Sequence, residues 1–328
     1  MPTIQRLELP TPFPVGPVNA YLLEGDPLTL VDTGPREAAT LPVLRAELER
    51  RGVTFRDLER LVITHPHIDH FGLAAAIVTD STDARAERSS GPAVEVLAHP
   101  DAVPWLSDGL SVGVARHRFY LDVLREAGMP DPDPVARAYL AADQYGAPVR
   151  VDRVLTHGEG VRLGGTDWQV IHTPGHAGAH LCLYDPESRA LVAGDHLLPT
   201  ISSNPVVEPA LDGRLRHRSL VGYVRSLRLV AELEVATVYP GHGAPFEGHR
   251  ELIEQRLAAT WQRAEDIAAL LADGRPSIYE VVQQLFPNVS GFEAFLGVSE
   301  IIGHLELLEA QGRVAAERDG HVMRYRRL

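Results

Sequence analysis

The sequence contains no lysine, so all 31 of its basic residues are arginine. Schiff-base catalysis and lysine-dependent phosphate binding both need a primary amine, so these chemistries are excluded. Cysteine is almost absent as well, because Cys182 is the only one in the chain. A single cysteine cannot form a disulfide within the chain, which fits a reducing compartment.

Neither a secretion signal nor a membrane span is visible in the sequence. Residues 1–17 lack a basic segment followed by an apolar stretch. No apolar run elsewhere approaches the roughly 18 residues that a membrane helix needs. We therefore predict a cytoplasmic protein without a membrane partner.

Acidic residues outnumber basic ones by 44 to 31, which gives a formal net charge of −13. Such a chain repels phosphate backbones unless its arginines cluster, so a nucleic-acid partner is disfavoured but not excluded. With 45% hydrophobic and 23% charged residues over 328 positions, the composition predicts a globular protein with a sizeable core.

Ligand-type side chains follow a short apolar strand predicted at 61–63, at the kind of strand end where open α/β sheets bind ligands. Because alternate residues of an extended segment face one side, His65 and His67 can bind one metal ion. Asp69 and His70, at the turn into the next helix, can then reach a second ion. Imidazole and carboxylate ligands suit zinc, and also iron or manganese.

Strands and helices alternate in a similar pattern in the two halves of the chain. The predicted strands are two within 18–34 around a Gly-Asp-Pro turn, then 61–63, 94–98, 161–172, 180–185, 190–194 and 235–239. The predicted helices are 37–50, one from about 71, 219–233 and 249–272, with a polar loop at 79–92. This alternation indicates two sheets packed face to face with helices outside.

Residues 101–155 depart from that pattern, because Pro and Asp cluster between helical stretches at 112–128 and 135–145. We interpret this segment as a helical lid inserted into a catalytic domain of residues 1–272.

The tail, residues 276–328, differs again. Its predicted elements are helices at 277–286 and 298–311 and a hairpin at 313–326. Helix, helix and hairpin in this order predict a winged-helix-like C-terminal domain, although seven acids against five arginines do not suit nucleic-acid binding. The apolar face of the second helix can serve a homodimer or support the lid.

Five short motifs in chain order resemble those of the metallo-β-lactamase superfamily. They are Asp32-Thr-Gly, Thr64-His-x-His-x-Asp-His70, Thr173-Pro-Gly-His176, Gly194-Asp195 and Gly241-His242. The resemblance covers roughly residues 15–245 and implies an α/β fold, a four-layer αβ/βα sandwich. With its insertion and tail, the chain is similar to lactamase-beta-like proteins, some of which are ribonucleases.

The resemblance also implies a role for each motif residue. The implied ligands of one metal ion are His65, His67 and His176. The implied ligands of the other are Asp69, His70 and His242. Asp195 is implied to bridge the two ions, and Asp32 to orient the ligands without binding metal itself.

Two Zn²⁺ ions are the implied cofactors, with iron or manganese as other options. Two divalent cations about 3.5–4 Å apart lower the pKa of a shared water and polarise a carbonyl or phosphoryl oxygen. A metal-bridging hydroxide then attacks the substrate, with Asp69 and Asp195 as catalytic carboxylates. Our first hypothesis is hydrolysis of an ester, thioester or related acyl bond of a small molecule. The second is a phosphodiesterase or ribonuclease, and the third is a mononuclear-iron persulfide dioxygenase.

Departures from particular subfamilies narrow this choice. Leu198 stands where the quorum-lactone hydrolases carry a tyrosine, which argues against a lactonase. His67 stands where the flavo-diiron proteins carry glutamate, which argues against oxygen reduction. The basic residues, often lysine, with which glyoxalase-II-type thioesterases bind glutathione are not visible either.

Further polar residues flank the motifs. His180 and His196 can each act as a proton donor or an oxyanion donor. A hydrogen-bonded packing role is the commoner one for such histidines, and His180 is our catalytic candidate. Ser202 and Asn204 border the predicted cleft, where they can bind substrate or form a turn.

Five arginines and no acidic residue lie between 214 and 228, which stands out in an acidic chain. Such a cluster attracts a carboxylate or phosphate when it lies near a site, although it is more often a solvated helix face. The candidate substrate-binding arginines are Arg214, Arg216 and Arg218.

Overall fold

The structure is a computed structural model that describes residues 3–88, 94–210, 216–272 and 274–328. Its first β-sheet has six strands in the spatial order β1-β2-β3-β4-β5-β6. They are β1 (Thr3–Leu9), β2 (Val18–Glu24), β3 (Thr29–Val31), β4 (Arg60–Val62), β5 (Glu95–Ala98) and β6 (Arg153–Val154). Strands β1 to β3 pair antiparallel, and β3 to β6 pair parallel.

The second sheet has five strands in the order β11-β10-β9-β8-β7. They are β7 (Gly160–Leu163), β8 (Thr166–His172), β9 (Leu181–Asp185), β10 (Ala190–Gly194) and β11 (Thr237–Pro240). Strands β10 and β11 run parallel, and the other neighbours run antiparallel. All five residues of β9 and of β10 are buried, as expected for strands covered on both faces.

Helices cover the outer face of each sheet, insert between β5 and β6, and form most of the tail. They are α1 (Thr40–Glu49), α2 (Ile68–Phe71), α3 (Ala74–Arg88), α4 (Val103–Ser107), α5 (Gly109–Glu126), α6 (Asp133–Leu140), α7 (Ser219–Ala231), α8 (His249–Leu270), α9 (Ile278–Leu285) and α10 (Gly291–Ala310). Two 3₁₀ turns lie at Pro100–Ala102 and Ala141–Tyr145. No helix in the described ranges is long and apolar enough to cross a bilayer.

Apolar side chains fill the interfaces between the layers. Val62 and Trp168 belong to the cluster that joins the two sheets. Leu44 of α1 and Leu61 of β4 belong to the cluster on the outer face of the first sheet. Helices α7 and α8 pack on the second sheet through a cluster that includes Leu191. The predicted four-layer αβ/βα sandwich is therefore confirmed.

Most predicted elements lie within a few residues of their expected bounds, but the polar loop predicted at 79–92 is wrong. Helix α3 runs on to Arg88, and 89–93 lie outside the described residues. The hydroxyls of Thr79 and Thr82 donate to carbonyls one helical turn earlier, so these residues do not compete with the helical backbone. The helix breakers Gly91 and Pro92 come only later in the sequence.

The insertion and the tail share one apolar core. Tyr120 and Leu124 of α5, Ile267 of α8, and Phe295 and Ile301 of α10 belong to a single cluster. The tail shows the expected helix, helix and hairpin, with strands β12 (Val314–Asp319) and β13 (Val322–Arg327) in antiparallel register. The winged-helix assignment and the division of the chain near 272 stay predictions.

Candidate metal centre

The residues with predicted ligand roles come from five places in the chain and lie together at one end of the sheets. They follow β4 (His65 and His67), lie in α2 (Asp69 and His70), or follow β8, β10 and β11 (His176, Asp195 and His242). Three overlapping groups have ligand atoms within 4.8 Å of one another. The groups are His65, His67 and His176; Asp69, His70 and His242; and His65, His70 and Asp195.

Asp195 lies between the first two groups. Its Oδ2 is 3.5 Å from Nε2 of His176 in one group and 3.5 Å from Nε2 of His242 in the other. Its Oδ1 is 3.3 Å from Nε2 of His70. The Asp195 carboxylate therefore contacts histidines of both groups.

Hydrogen bonds orient four of the five ligand histidines in the same way. In each of them Nδ1–H donates to an oxygen, which leaves Nε2 toward the centre. The acceptors are Thr64 Oγ1 for His65 (3.0 Å), Asp32 Oδ2 for His70 (2.8 Å), the Asn204 carbonyl for His176 (3.1 Å) and the Pro17 carbonyl for His242 (2.7 Å). Such partners fix the tautomer of a metal-binding imidazole and its ring orientation.

The inward-facing atoms fit a metal ion. Nε2 of His65, His70 and His242 and Oδ1 of Asp195 are buried and have no hydrogen-bond partner. A buried polar atom without a partner costs about 1–3 kcal/mol, so four such atoms in one cluster need an explanation. A coordinated cation supplies one, because neutral imidazole and carboxylate are the ligands of zinc and related divalent ions.

The charge states also suit a cation. Burial lowers the pKa of His65 well below its ordinary value, and neighbouring His70 lowers it further. Burial alone would raise the pKa of Asp195, but the imidazoles of His70 and His242 outweigh it and hold that pKa well below its usual range. Burial alone would lower the pKa of His70, but the carboxylates of Asp195 and Asp69 raise it well above the ordinary value. The two carboxylates thus make the surroundings of His70 favourable for a positive charge.

Asp32 lies beneath the centre, in the position predicted for an orienting residue. Its Oδ1 accepts the backbone N–H of Thr64 (2.9 Å), and its Oδ2 accepts the Thr64 hydroxyl (2.8 Å) and Nδ1–H of His70 (2.8 Å). It adopts a φ of 59°, which is uncommon for a residue with a side chain. One carboxylate, on a residue with an uncommon backbone conformation, therefore contacts both His70 and, through Thr64, His65.

The geometry around His180 speaks against its predicted catalytic role. The ring is fully buried, its Nε2 accepts the backbone N–H of Asp195 (3.1 Å), and its Nδ1 contacts the Thr173 hydroxyl (2.8 Å). Both ring nitrogens are thus used inside the protein, which leaves no proton for a substrate. His180 supports the backbone of Asp195 instead. His196 is also fully buried, and burial lowers its pKa to about 3.

The predicted substrate-binding residues lie in different surroundings. Ser202 is exposed, and Asn204 uses its backbone carbonyl to hold His176. Nε and Nη2 of Arg216 both lie 2.9 Å from Oε1 of Glu306, and Arg218 donates to the Glu306 carbonyl. These two arginines are therefore engaged by α10 of the tail. Arg214 lies outside the described residues.

Sequence reasoning missed the residues that support the ligands from elsewhere in the chain. The Pro17 carbonyl accepts from His242, and the Asn19 amide donates to the carbonyls of Pro240 (2.8 Å) and Gly243 (2.7 Å) on either side of that histidine. The buried carboxylate of Glu208 lies beside His67. A backbone carbonyl has no side-chain signal, and a lone glutamate far from any motif has no spacing to reveal it.

Residues 13–242 match the sequence description of the metallo-beta-lactamase superfamily, which is most of the chain. The chain belongs to the metallo-β-lactamase superfamily. It is thus a hydrolase of this superfamily, and its clustered histidines and aspartates support a metal cofactor.

Three known proteins illustrate the similarity. The probable metallo-hydrolase YqjP of Bacillus subtilis is 33% identical over 321 residues, 98% of this chain and 96% of that protein. The crystal structure of the metallo-beta-lactamase family protein TTHA1429 from Thermus thermophilus has a TM-score of 0.81 at 28% identity, covering 99% of this chain and 98% of that one. The acyl-coenzyme A thioesterase MBLAC2 of Gallus gallus is 28% identical over 193 residues, 58% of each chain.

Proposed function

We propose that this chain is a dinuclear metallohydrolase that cleaves an ester, thioester or related acyl bond of a small molecule. The observation that carries the proposal is the position of Asp195, whose carboxylate contacts His176 of one ligand group and His70 and His242 of the other. Two Zn²⁺ ions suit the donor set, and iron or manganese are the other options.

The ligand residues differ in exposure, and this defines the side from which a substrate approaches. His65, His70, Asp195 and His242 are buried, whereas His67, Asp69 and His176 keep part of their surface accessible. A substrate therefore meets the centre along His67, Asp69 and His176. The buried set forms the floor and keeps bulk water away from the ligands.

The chain itself contributes binding and orientation to the reaction. When bound, a pair of divalent cations supplies an acidified water and polarises the substrate carbonyl. Oδ2 of Asp69 lies 3.4 Å from Nε2 of His242, and with its partial exposure this carboxylate can orient a water and accept its proton. Asp195 stays ionised and holds the two ligand groups together.

An acyl substrate is favoured over a phosphodiester by two features. The MBLAC2 protein that resembles part of this chain is named an acyl-coenzyme A thioesterase, so a thioester is the first substrate class to test. Phosphate recognition was expected to rest on the arginines between 214 and 228. Glu306 engages two of them, Arg216 and Arg218, which makes these two less available to bind a phosphate.

The test combines metal content with a substrate screen on the purified full chain. We expect two metal ions per chain and turnover of acyl-thioester or ester chromogens that stops on chelation and returns on reloading. Lactone and phosphodiester chromogens complete the screen. Predominant phosphodiester turnover would instead indicate the phosphodiesterase alternative, and one iron per chain with oxygen consumption the persulfide dioxygenase.

Asp195→Ala is the decisive variant. We expect turnover to fall by more than the roughly 10–100-fold that is typical when a partner of a metal ligand is lost. Asp185→Ala is the matched control, because Asp185 is a buried carboxylate on β9 that holds a turn through Ser188 and Glu187, away from the centre. Full turnover in Asp195→Ala would overturn the proposed site.

A further inference from the structure

His67 is the exception among the five ligand histidines. Its Nδ1, and not its Nε2, faces another ligand: Nδ1 lies 2.8 Å from Nε2 of His176. The two nitrogens hydrogen bond to each other, and a cation held by both rings would replace the shared proton. His67 would then hold the cation through Nδ1, which would leave its ring proton on Nε2.

The other ring nitrogen of His67 lies beside Glu208. Nε2 is buried without a hydrogen-bond partner among the described residues, and Oε1 of Glu208 lies 3.4 Å from it. Oε2 of the same carboxylate accepts the backbone N–H of Gly178 at 2.9 Å. Glu208 is 6% exposed. A carboxylate so buried is costly unless polar partners surround it, and the Gly178 N–H and the His67 ring are the polar groups beside it.

The segment that carries Glu208 touches two other ligand residues. We call residues 203–208 the strap. The hydroxyl of Ser203 donates to the Asp195 carbonyl, and the Asn204 carbonyl accepts from Nδ1–H of His176. The strap therefore contacts three of the predicted ligand residues, and Glu208 is its contact with His67.

The tail holds the strap in place. Ser299 of α10 accepts the backbone N–H of Val207 at 3.4 Å through its hydroxyl. Val206 and Val207 belong to the core cluster shared by the insertion and the tail. The strap is thus held by packed residues of the shared core, which favours a fixed position for the Glu208 carboxylate.

We propose that Glu208 is a positioning residue for the metal centre, which acts by fixing the tautomer and ring orientation of His67. This inference rests on the proposed function, because it needs a metal ion at His67. A carboxylate that accepts from the outer nitrogen of a ligand histidine raises the basicity of the ring and its affinity for metal.

The experiment measures metal affinity, not activity. The full chain is stripped of metal, reloaded with Co²⁺ or Zn²⁺, and titrated against a competing chelator, with the Co²⁺ absorption spectrum recorded in parallel. Glu208→Ala should weaken binding about 10–100-fold and alter the Co²⁺ spectrum. Glu208→Gln should weaken metal binding less than Glu208→Ala, because the amide oxygen can still accept from His67. Some loss is expected, because the NH₂ group cannot accept from Gly178.

A double-mutant cycle separates positioning from a general structural effect. Because Glu208 acts through His67, Glu208→Ala should change affinity by no more than about twofold in a His67→Ala background. Glu300→Gln is the control, since Glu300 is a partly buried glutamate on α10 that pairs with Arg263 (3.0 Å) and lies outside the three ligand groups.

The outcomes are distinct. Wild-type affinity and spectrum in both Glu208 variants would overturn this inference alone, as would an equal loss in Glu300→Gln or an additive loss with His67→Ala. If Glu208→Ala fails to fold, Glu208→Gln and its cycle with His67→Ala decide the question in the same way. A wild-type chain that binds no metal would overturn the proposed function as well.

Discussion

Gly241 packs directly against Asp195, so closely that a Cβ atom at position 241 would lie 2.1 Å from Oδ1 of that carboxylate and 2.8 Å from Cε1 of His70. No side chain fits in this space. The glycine of the Gly-His motif is therefore needed because the backbone must pass beside the carboxylate that joins the two ligand groups.

Gly241→Ala should displace Asp195 or His70 and lower metal content and turnover together. We expect a loss of at least about 10-fold in metal affinity, because the methyl group cannot be accommodated without moving a ligand. Elemental analysis measures the metal content, and chelator competition measures the loss of metal affinity. Gly160→Ala on β7 is the comparison, since a Cβ there would meet nothing within 4 Å, and an equal loss in both variants would contradict the explanation.

Asp32→Asn should weaken metal binding about 10–100-fold while leaving the backbone in place. Asn tolerates the positive φ of residue 32. Its NH₂ group, however, must face a donor, because both carboxylate oxygens of Asp32 accept from Thr64 or His70. Chelator competition measures the loss, and Asp185→Asn supplies the control for a buried aspartate outside the centre. Undiminished affinity in Asp32→Asn would remove Asp32 from the orienting role.

His99 should make the metal-free protein less stable at mildly acidic pH. Its ring stacks on His172 at 3.9 Å, and burial lowers its pKa to about 4, with His172 acting in the same direction and Asp101 against it. Folded His99 therefore binds a proton only near pH 4, whereas the unfolded chain binds one near pH 6.5. Between these values the unfolded state holds more protons, so the free energy of unfolding falls as the pH falls.

His99→Phe tests this, because phenylalanine keeps a stacked ring and cannot take up a proton. Urea unfolding of the protein in the presence of a chelator gives its free energy of unfolding at about pH 7 and about pH 5. The decrease between the two pH values should be smaller for His99→Phe than for wild type. The control is His321→Gln, because His321 is exposed, and this variant should show the same decrease in the free energy of unfolding as wild type. An identical drop in wild type and His99→Phe would show that this ring does not contribute.

Gly303→Ala should destabilise the contact between α10 and α7. A Cβ at Gly303 would lie 2.7 Å from Cβ of Leu220, whereas the nearest atom to a Cβ at Gly297 of the same helix is 3.3 Å away on a Val282 side chain. Overpacking costs about 1–3 kcal/mol and opposes the roughly 1 kcal/mol gained by replacing a helical glycine. Denaturant unfolding should therefore show a net loss for Gly303→Ala and little change or a gain for Gly297→Ala. A larger loss of stability for Gly297→Ala than for Gly303→Ala would contradict this explanation.

Much of the fold and of the centre was accessible from the sequence. The strand that ends before His65 was visible as an apolar run, and the ligand residues were visible because metal coordination restricts residue type and spacing. The polar loop at 79–92 was misassigned because threonine and serine that bond back to their own helix have the same composition as a loop.

The sequence by itself determined which side chains have ligand chemistry and which layered fold brings them together. The tertiary structure decided how these side chains are held. The Pro17 and Asn204 carbonyls, the Glu208 carboxylate and the engagement of Arg216 by Glu306 are contacts between segments distant along the chain. The spacing of residues along the chain does not predict such contacts, because they depend on how the packed layers place one backbone beside another.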